Sequence, residues 1–458
     1  MPAEVLRQPC DLAADLASDL AADLACDRAL AAVRRVAFAP LRVGQVLAAD
    51  GATVTVSGLS AAIGDLVELA GDGGPVPAEV IGFRSGELIA LPLAAGTVRP
   101  AARVVHIGRA DLVAVGAGLL GRVVDGWGQP IDGLGAMAAE GQWPRGGVPL
   151  APLDRSDLCV PMWTGVRPID TLLTLGRGQR VGLMAGSGVG KTALMQQLIM
   201  GAAADVVVVA LLGERGREIA AFVHGMGAAA RARAHVIAVP ADDAPGMRVR
   251  GVERAFAVAE YWRSLGAHAL LLVDSLTRVA HAQRQLGLAV GEPAGPRGYP
   301  ASALAMIPRL VERAGNDGRT GGAVTAIMTV LADGDDLVGD PVVDAARGVM
   351  DGHIMLARSV AAGGRFPAID VGHSLSRTMD GVAEPWHVAA AARFRADFAR
   401  LELVRELRAM GAYVPGQDAA ADRALALEGA MEALLRQDRH QSLPHEQSLA
   451  ALQSEWAT

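Results

Sequence analysis

The chain has 458 residues, of which 51% are hydrophobic and 3% are aromatic, and it carries a formal net charge of −7. This length suffices for roughly three domains of ~150 residues each, and the acidic balance argues against a nucleic-acid-binding protein. The sequence lacks the ~20-residue apolar run of a membrane span and a secretory signal pattern, and the wide spacing of Cys10, Cys26 and Cys159 argues against a zinc site or disulfide framework, so we expect a reducing cytoplasmic location.

The first element is an acidic extension over residues 1–35 that contains a four-residue repeat. Asp-Leu pairs recur at every fourth position between Asp11 and Asp27, so the leucines line one slowly drifting stripe of a helix with the aspartates beside it. Two interpretations remain open. The segment is either a solvated, low-complexity helix or tail, or a helix that docks on a partner protein.

Residues 36–107 form short runs in which apolar and polar residues alternate. The runs over 53–56, 66–69 and 87–91 predict strands, and turn signals such as Ser85-Gly86 separate them. Short strands at this spacing predict a small antiparallel β-barrel.

Residues 108–380 alternate between apolar runs and helical stretches. The nearly continuous apolar runs lie at 206–211, 236–239, 269–273 and 324–330. Such runs are typical of buried strands in a parallel sheet with helices on both faces.

Residues 381–440 are rich in helical patterns and form a third predicted domain. Helices are expected over 386–410 and 419–437. The remaining residues, 441–458, contain Gln and His, and we expect them to form a loosely ordered tail.

A glycine-rich loop lies between a short apolar run, 181–184, and a helix-like run, 193–200. Its sequence is Ala185-Gly186-Ser187-Gly188-Val189-Gly190-Lys191-Thr192. A strand, a glycine loop and a helix together form the context of a phosphate-binding loop (P-loop), in which backbone N–H groups and the helix start bind phosphate oxygens. We predict that Lys191 reaches the β and γ phosphates of a nucleotide and that Thr192 holds Mg²⁺. The alternative is a glycine-rich turn that arises by chance.

Two carboxylates follow apolar runs, which places them at the sheet edge where ligands bind. Asp274 can support the shell of Mg²⁺ through water, or it is a turn or helix N-cap residue. Glu214 can orient and polarise an attacking water, or it belongs to a solvated charge cluster that opens the next helix. Arg377 follows the strand-like run 367–371 and either reaches the nucleotide of a neighbouring subunit or is an ordinary surface arginine.

Many segments, in the order found in one family, resemble the flagellar and type III secretion export ATPases, which are relatives of the catalytic subunit of rotary F-type ATP synthases. The resemblance extends from about residue 40 to about residue 440. Its segments are 118–126, 164–170, 213–218, 274–278, 287–293, 297–300, 329–331, 334–336, 351–354 and 366–371.

One position and two segments depart from the pattern of this family. Val279 stands where members usually have Phe, and the segments 240–245 and 292–296 differ from the usual sequences. The catalytic positions are intact, so the departures bear on the choice of partners rather than on activity.

The resemblance implies an α/β fold: a RecA-like P-loop ATPase core, preceded by a small β-barrel and followed by a helical domain. It implies a homohexamer that hydrolyses ATP at subunit interfaces and energises protein export, by chaperone release and substrate unfolding, in an injectisome or a flagellum. It also implies a stator protein on the N-terminal region, a coiled-coil stalk in the pore, export chaperone–substrate complexes and an export gate at the inner membrane, where this cytoplasmic enzyme is peripheral.

The resemblance also assigns roles to residues. Glu214 activates water, Asp274 supports the metal, Arg215 lies beside the γ phosphate, and Arg377 is an arginine finger contributed in trans. Phe366 matches an aromatic residue that packs on adenine, and Tyr413 is expected to help; the alternative for both is an ordinary core position.

Two other functions remain open. A hexameric RNA-dependent motor needs stacking aromatic residues in its barrel, where this chain has only Phe38 and Phe83. A rotary ATPase uses two different chains, whereas this chain carries both Glu214 and Arg377, which favours a homo-oligomer.

Overall fold

The structure, a computed structural model, describes residues 43–50, 53–94, 96–109, 111–186, 188–331 and 339–457. Some sequence features lie outside these ranges. They are the extension 1–35 with its repeat and with Cys10 and Cys26, Phe38, Ser187 of the P-loop, and segment 334–336.

The N-terminal region forms the predicted β-barrel. Its strands are β1 (Val43–Ala49), β2 (Val54–Ser57), β3 (Asp65–Gly71), β4 (Gly74–Arg84), β5 (Glu87–Pro92) and β6 (Arg103–Arg109). They close in the order β1-β2-β5-β4-β3-β6. Alternate side chains, such as Val67 and Leu69 on β3, are buried inside the barrel, so the alternating pattern of the sequence provides its core.

The central region is built on one large sheet. The strands of this sheet are β8 (Val123–Val124), β12 (Arg180–Ala185), β13 (Val206–Glu214), β14 (Ala234–Pro240), β15 (His268–Asp274), β16 (Gly315–Asn316), β17 (Ala323–Leu331), β18 (Gly352–Leu356) and β19 (Ile369–Ser376). Two small sheets of two strands each lie outside it: β7 (Leu112–Val115) with β9 (Gly141–Pro144), and β10 (Pro161–Met162) with β11 (Leu175–Gly176). The large sheet runs in the order β19-β18-β12-β17-β15-β13-β14-β8, with β16 paired to β17. The pairs are parallel except β18 with β19 and β16 with β17.

Helices cover both faces of this sheet. They are α1 (Arg167–Leu172), α2 (Lys191–Gly201), α3 (Gly216–Gly225), α4 (Ala228–Ala232), α5 (Pro245–Ser264), α6 (Leu276–Ala289), α7 (Ala301–Val311), α8 (Pro341–Val349), α9 (Arg358–Ala362) and α10 (Met379–Val382). On β13, Val207 and Val209 pack in one apolar cluster with α2 and α3. Val206 and Val208 pack in another with α5, α7 and α8. Because both faces of β13 are buried, its sequence is continuously apolar, and the predicted fold class is confirmed.

The C-terminal region is helical, as predicted. Its helices are α11 (Pro385–Ala409), α12 (Ala419–Ala426), α13 (Glu428–Leu435) and α14 (His445–Trp456). The helix expected over 419–437 is divided at Leu427, whose side chain carries no helix-breaking signal. Among the described residues, no helix combines the length and the apolar character that crossing a membrane requires.

The expectation of a loosely ordered tail over 441–458 is wrong. Residues 445–456 form α14, and Trp456 is fully buried. Its ring meets that of Phe394 edge to face with centroids 4.9 Å apart, and its Nε1 donates to Asp397 at 3.1 Å. Polar residues hide the signal: Leu449, Leu452 and Trp456 follow the spacing of one helix face.

Candidate active site

The P-loop connects β12 to α2 and leaves an open helix start. Gly190 precedes α2 with φ of +94°, in the left-handed region that glycine adopts without strain. Val189 is buried and anchors the loop in the core, whereas Gly188 and Thr192 are exposed. The free N–H groups of the first turn therefore border an accessible space, which suits the binding of an anion.

Lys191 lies between the two predicted carboxylates. Its Nζ is 2.5 Å from Oδ1 of Asp274 and 3.2 Å from Oε1 of Glu214. The three side chains are only 14%, 5% and 10% exposed, respectively. The strands β13 and β15, which end at Glu214 and Asp274, are neighbours in the sheet, and their carboxyl ends meet the P-loop at one edge.

Lys191 is also the only lysine in the chain, so every other long basic side chain is an arginine. Arginine is a planar fork that binds carboxylates with two hydrogen bonds, whereas the ammonium of lysine is a compact point charge. The single compact cation therefore stands where a phosphate group is expected.

A local break in β13 aims Glu214 at Lys191. The pairing of β13 with β14 shifts register between Leu212 and Glu214, and Gly213 has φ of +80°. A Cβ at this position would also lie 3.0 Å from Arg278. Glycine thus permits the turn that directs the glutamate into the site.

Two polar side chains that the sequence did not single out complete the contacts of the carboxylates. Arg278 on α6 places Nη2 3.2 Å from Oε2 of Glu214. Thr329 on β17 donates from Oγ1 to Oδ1 of Asp274 at 2.7 Å. The available signals were that Thr329 interrupts an apolar run near its end and that Arg278 follows Asp274 by about one helical turn.

Arg248 on α5 adds a third positive charge next to this group. Its Nη2 donates to the carbonyl oxygens of Ala241 and Asp243, at 2.6 and 3.1 Å. Burial, together with the neighbouring charge of Arg278, lowers the pKa of Arg248. The site thus contains more positive charge than the sequence motifs indicated, which favours an anionic ligand.

Arg215 immediately follows Glu214 but faces outward. It is exposed, and its Nη1 lies 3.4 Å from Oε1 of Glu218. The structure therefore brings Arg215 near the site without placing it between the carboxylates, and its position beside a γ phosphate stays a prediction.

Arg377 lies at the opposite edge of the sheet from the P-loop. It is exposed and follows β19, which runs antiparallel to its neighbour, and its backbone N–H donates to the carbonyl of Asp351 at 2.9 Å. Asp351 in turn bonds Arg180 at the start of β12, whereas the P-loop begins at the end of that strand. The length of β12 separates these edges by ~17 Å, so Arg377 does not reach Lys191 of its own chain.

The two aromatic candidates lie in different surroundings. Phe366 is 48% exposed, and its ring carbons are 3.7 Å from the position of a Cβ on Gly190, so the ring borders the P-loop and is not an ordinary core residue. The hydroxyl of Tyr413 donates to Asp422 within the C-terminal helices. The described contacts of Tyr413 do not connect it to the P-loop, and its contact with a nucleotide stays a prediction.

Comparison with known proteins gives one consistent result. Residues 165–376 match the sequence model of the ATP synthase alpha/beta family, nucleotide-binding domain, and residues 383–454 match that of the T3SS EscN ATPase C-terminal domain. The flagellum-specific ATP synthase of Pseudomonas aeruginosa is 44% identical over 421 residues, which cover 91% of this chain and 93% of the relative. The type 3 secretion system ATPase of Xanthomonas euvesicatoria is 41% identical over 418 residues, with coverage of 90% and 94%.

Solved structures extend this similarity to three dimensions. The assembled ATPase EscN from the type III secretion system of enteropathogenic E. coli matches with a TM-score of 0.85 and 35% identity, over 90% of this chain and 99% of that chain. Assembled EscN in complex with its central stalk EscO matches with a TM-score of 0.83 and 34% identity, over the same shares.

Proposed function

Because this chain belongs to the family of flagellum-specific and type III secretion ATPases, and is thus an ATP-hydrolysing enzyme of protein export, we propose that the P-loop around Lys191 is its catalytic site. The observation that carries the proposal is the position of the Lys191 ammonium between the carboxylates of Glu214 and Asp274. A cation and two carboxylates at an open helix start are the parts that phosphoryl transfer to water requires.

On binding, ATP places its β and γ phosphates at the first turn of α2, where backbone N–H groups and the helix dipole stabilise them. Lys191 then exchanges part of its contact with the carboxylates for contact with phosphate oxygens. Glu214 becomes free to accept a hydrogen bond from the attacking water and to hold it in line with the γ phosphorus. Arg278, paired with the other oxygen of Glu214, keeps this carboxylate oriented.

The residues at this edge fit Mg²⁺, which prefers oxygen ligands and retains several waters. Thr192 offers a hydroxyl, and Asp274 offers a carboxylate whose orientation is fixed by Thr329. When bound, Mg²⁺ supplies positive charge that stabilises the phosphate oxygens as the bond breaks. We assign Thr192 as a direct ligand and Asp274 as a support for the shell through water.

Arg377 acts at the P-loop of the neighbouring subunit in a homohexamer. Its position ~17 Å from its own P-loop and its exposure support this assignment. An arginine finger of this kind typically contributes ~10³ to 10⁵ in rate. Arg215, Phe366 and Tyr413 complete the site, the first beside the γ phosphate and the aromatic rings against adenine.

The assembly extends beyond the ring. The similarity to assembled EscN and to its complex with the stalk EscO supports a homohexamer with a stalk protein in its pore. In this proposal the N-terminal region binds a stator protein. The ring binds export chaperone–substrate complexes and an export gate at the inner membrane. In this assignment ATP is the substrate and Mg²⁺ its metal cofactor, and we expect no nucleic-acid partner.

A mixing experiment tests the catalytic site and the finger together. Lys191→Ala and Arg377→Ala should each abolish steady-state phosphate release. Mixed at equal amounts, they should recover about a quarter of the wild-type turnover, because that fraction of interfaces in a random cyclic ring pairs an intact P-loop with an intact finger.

The control mixes Lys191→Ala with Glu214→Gln. Both side chains belong to the same side of an interface, so no interface is complete and no turnover should return. Turnover by Lys191→Ala alone would exclude this loop as the catalytic site. Failure of the first mixture, with mixed rings demonstrated by mass spectrometry, would exclude the placement of Arg377.

A further inference from the structure

We propose that Gln437 is a positioning residue for ATP binding, although it lies in the C-terminal helical region. The buried amide of Gln437 anchors the segment that holds Phe366 beside the P-loop. This inference rests on the proposed contact of Phe366 with adenine. We infer that Gln437 sets the distance between the phosphate-binding and adenine-binding parts of the site without contacting the nucleotide itself.

The loop that carries Phe366 is bonded at three successive residues to the end of α13 and the segment that follows it. The carbonyl of Phe366 accepts a hydrogen bond from the backbone N–H of Gln437 at 2.9 Å. The carbonyl of Gly364 accepts from Nη1 of Arg436 at 3.3 Å. Between them, the buried guanidinium of Arg365 lies 3.7 Å from Glu432. The position of the half-exposed Phe366 ring therefore depends on segment 432–437 rather than on core packing of the ring itself.

The side chain of Gln437 fixes that segment to the ATPase core. Gln437 is 6% exposed, and its Oε1 accepts from the backbone N–H of Arg167 at 2.7 Å. Its Nε2 donates to the carbonyls of Gly165 and Gln441, both at 2.8 Å. Both donors of the amide and its oxygen are thus in use within the protein.

These partners require an amide at this position. A backbone N–H faces one end of the side chain and two carbonyl oxygens face the other, so only a group with an acceptor at one end and two donors at the other satisfies all three. A glutamate of the same shape would turn a carboxylate oxygen toward two carbonyl oxygens. Leaving such buried groups unpaired or in repulsion is costly because water cannot replace the lost bonds.

The same segment also touches the helix that follows the P-loop. Gln197 on α2 is buried and donates from Nε2 to the carbonyl of Asp438 at 3.0 Å. Arg167 at the start of α1 donates from Nη1 to the carbonyl of Ala433 at 2.6 Å. Segment 432–438 thus joins α2, whose first residue is Lys191, to the loop of Phe366, and its position fixes the spacing between the phosphate-binding and adenine-binding elements.

The test is Gln437→Glu in the full-length ATPase, with steady-state turnover measured over a range of ATP concentrations. We expect KM for ATP to rise about tenfold, because a displaced Phe366 loop weakens binding of the base. We expect kcat to stay within about twofold, because Lys191, Glu214 and Asp274 lie on β12–α2, β13 and β15 and keep their contacts. A matched control is Gln447→Glu, which makes the same chemical change at an exposed position of α14 and should leave both constants unchanged.

A double-mutant cycle with Phe366→Ala shows whether Gln437 acts through Phe366. Phe366→Ala alone should raise KM, and adding Gln437→Glu should then raise it by less than about twofold, because the two changes act on one contact. An unchanged KM in Phe366→Ala would overturn the adenine contact on which the inference rests. A raised KM in Phe366→Ala with an unchanged KM in Gln437→Glu would overturn the role of Gln437 alone.

A second variant covers the case in which Gln437→Glu does not fold. Arg436→Ala removes the bond to Gly364 and a 3.4 Å contact with Glu432, both from a side chain that is 54% exposed, so the fold should survive. It should raise KM by about twofold with kcat unchanged, since exposed hydrogen bonds contribute little. A fall in kcat without a change in KM, in either variant, would contradict a positioning role in ATP binding.

Discussion

The two ends of the candidate ATP site are built in different ways. At the phosphate end, Lys191 begins α2, whereas Glu214 and Asp274 end neighbouring strands of one sheet. The three side chains are nearly buried, and the Lys191 ammonium contacts both carboxylates. At the other end, Phe366 is half-exposed, and its carbonyl accepts a hydrogen bond from Gln437 in the segment after α13. Arg377 is exposed at the far edge of the sheet. The phosphate end therefore follows from the packing of the core, whereas the position of Phe366 depends on the docking of the C-terminal region, and the proposed role of Arg377 depends on another subunit.

The largest expected effect is at the phosphate end, which we call the buried end. Glu214→Gln keeps the shape of the side chain but removes the carboxylate that we propose polarises water, so kcat should fall by about 10² to 10⁴. ATP binding, measured with a fluorescent nucleotide, should persist because Lys191 and the loop remain. The exposed Glu455 on α14 supplies the control, and Glu455→Gln should retain full turnover. Loss of ATP binding in Glu214→Gln would show that Glu214 supports the structure of the P-loop rather than the catalytic step.

An intermediate effect is expected on the pH dependence of the free energy of unfolding, through two histidines on strands of the large sheet. His235 on β14 and His268 on β15 are buried, and burial is the main cause that lowers the pKa of each to about 4. The charges of Arg254 near His235 and of Arg177 near His268 act in the same direction. In the unfolded chain the pKa of histidine is ~6.5, so the unfolded state binds more protons between pH 6.5 and 4.

The contribution of these two neutral histidines to the free energy of unfolding is present above pH 6.5 and is lost as pH falls toward 4. The free energy of unfolding should decrease by about 2 kcal/mol per histidine at pH 5, measured by urea unfolding at pH 7.5 and pH 5. His235→Gln should reduce this loss, whereas replacement of His373, which is 79% exposed, should not. Equal stability at both pH values would show that the buried end is not the acid-sensitive part of the molecule.

The smallest expected effect is at the other end of the site, around Phe366, which we call the open end. Tyr413→Phe removes a hydroxyl that bonds to Asp422 rather than to the P-loop and keeps the ring. KM for ATP should change by less than about twofold, because a hydrogen bond at a partly exposed position contributes little. A tenfold rise in KM would mean that the hydroxyl itself contacts the nucleotide. Polar contacts would then contribute to nucleotide binding at the open end despite its exposure to solvent.

The sequence predicted that Glu214 and Asp274 lie beside the P-loop, and the structure places both carboxylates at Lys191. The reason is physical. Continuous apolar runs fix β13 and β15 as buried parallel strands, and the polar residues that follow such strands meet at one edge. The meeting of Glu214 and Asp274 with Lys191 follows from this rule. The pairing of Asp274 with Thr329 does not, because it depends on which strand inserts between β12 and β15.

The open end was harder to predict because its contacts span long distances along the chain. Gln437 bonds to Arg167, and no local pattern links these two residues. Trp456 is buried against Phe394 although its segment is polar in composition. Such contacts arise from the packing of complete domains, which local periodicity does not encode.

The single lysine of the chain gives its P-loop a chemical identity that no other part of the protein shares. Reagents selective for side-chain amines, and proteases specific for lysine, have one side-chain target in all 458 residues, and that target is the group that is expected to bind ATP. Its modification reports directly on the access of solvent to the nucleotide site. The protein thus carries one native, residue-specific chemical probe of its P-loop.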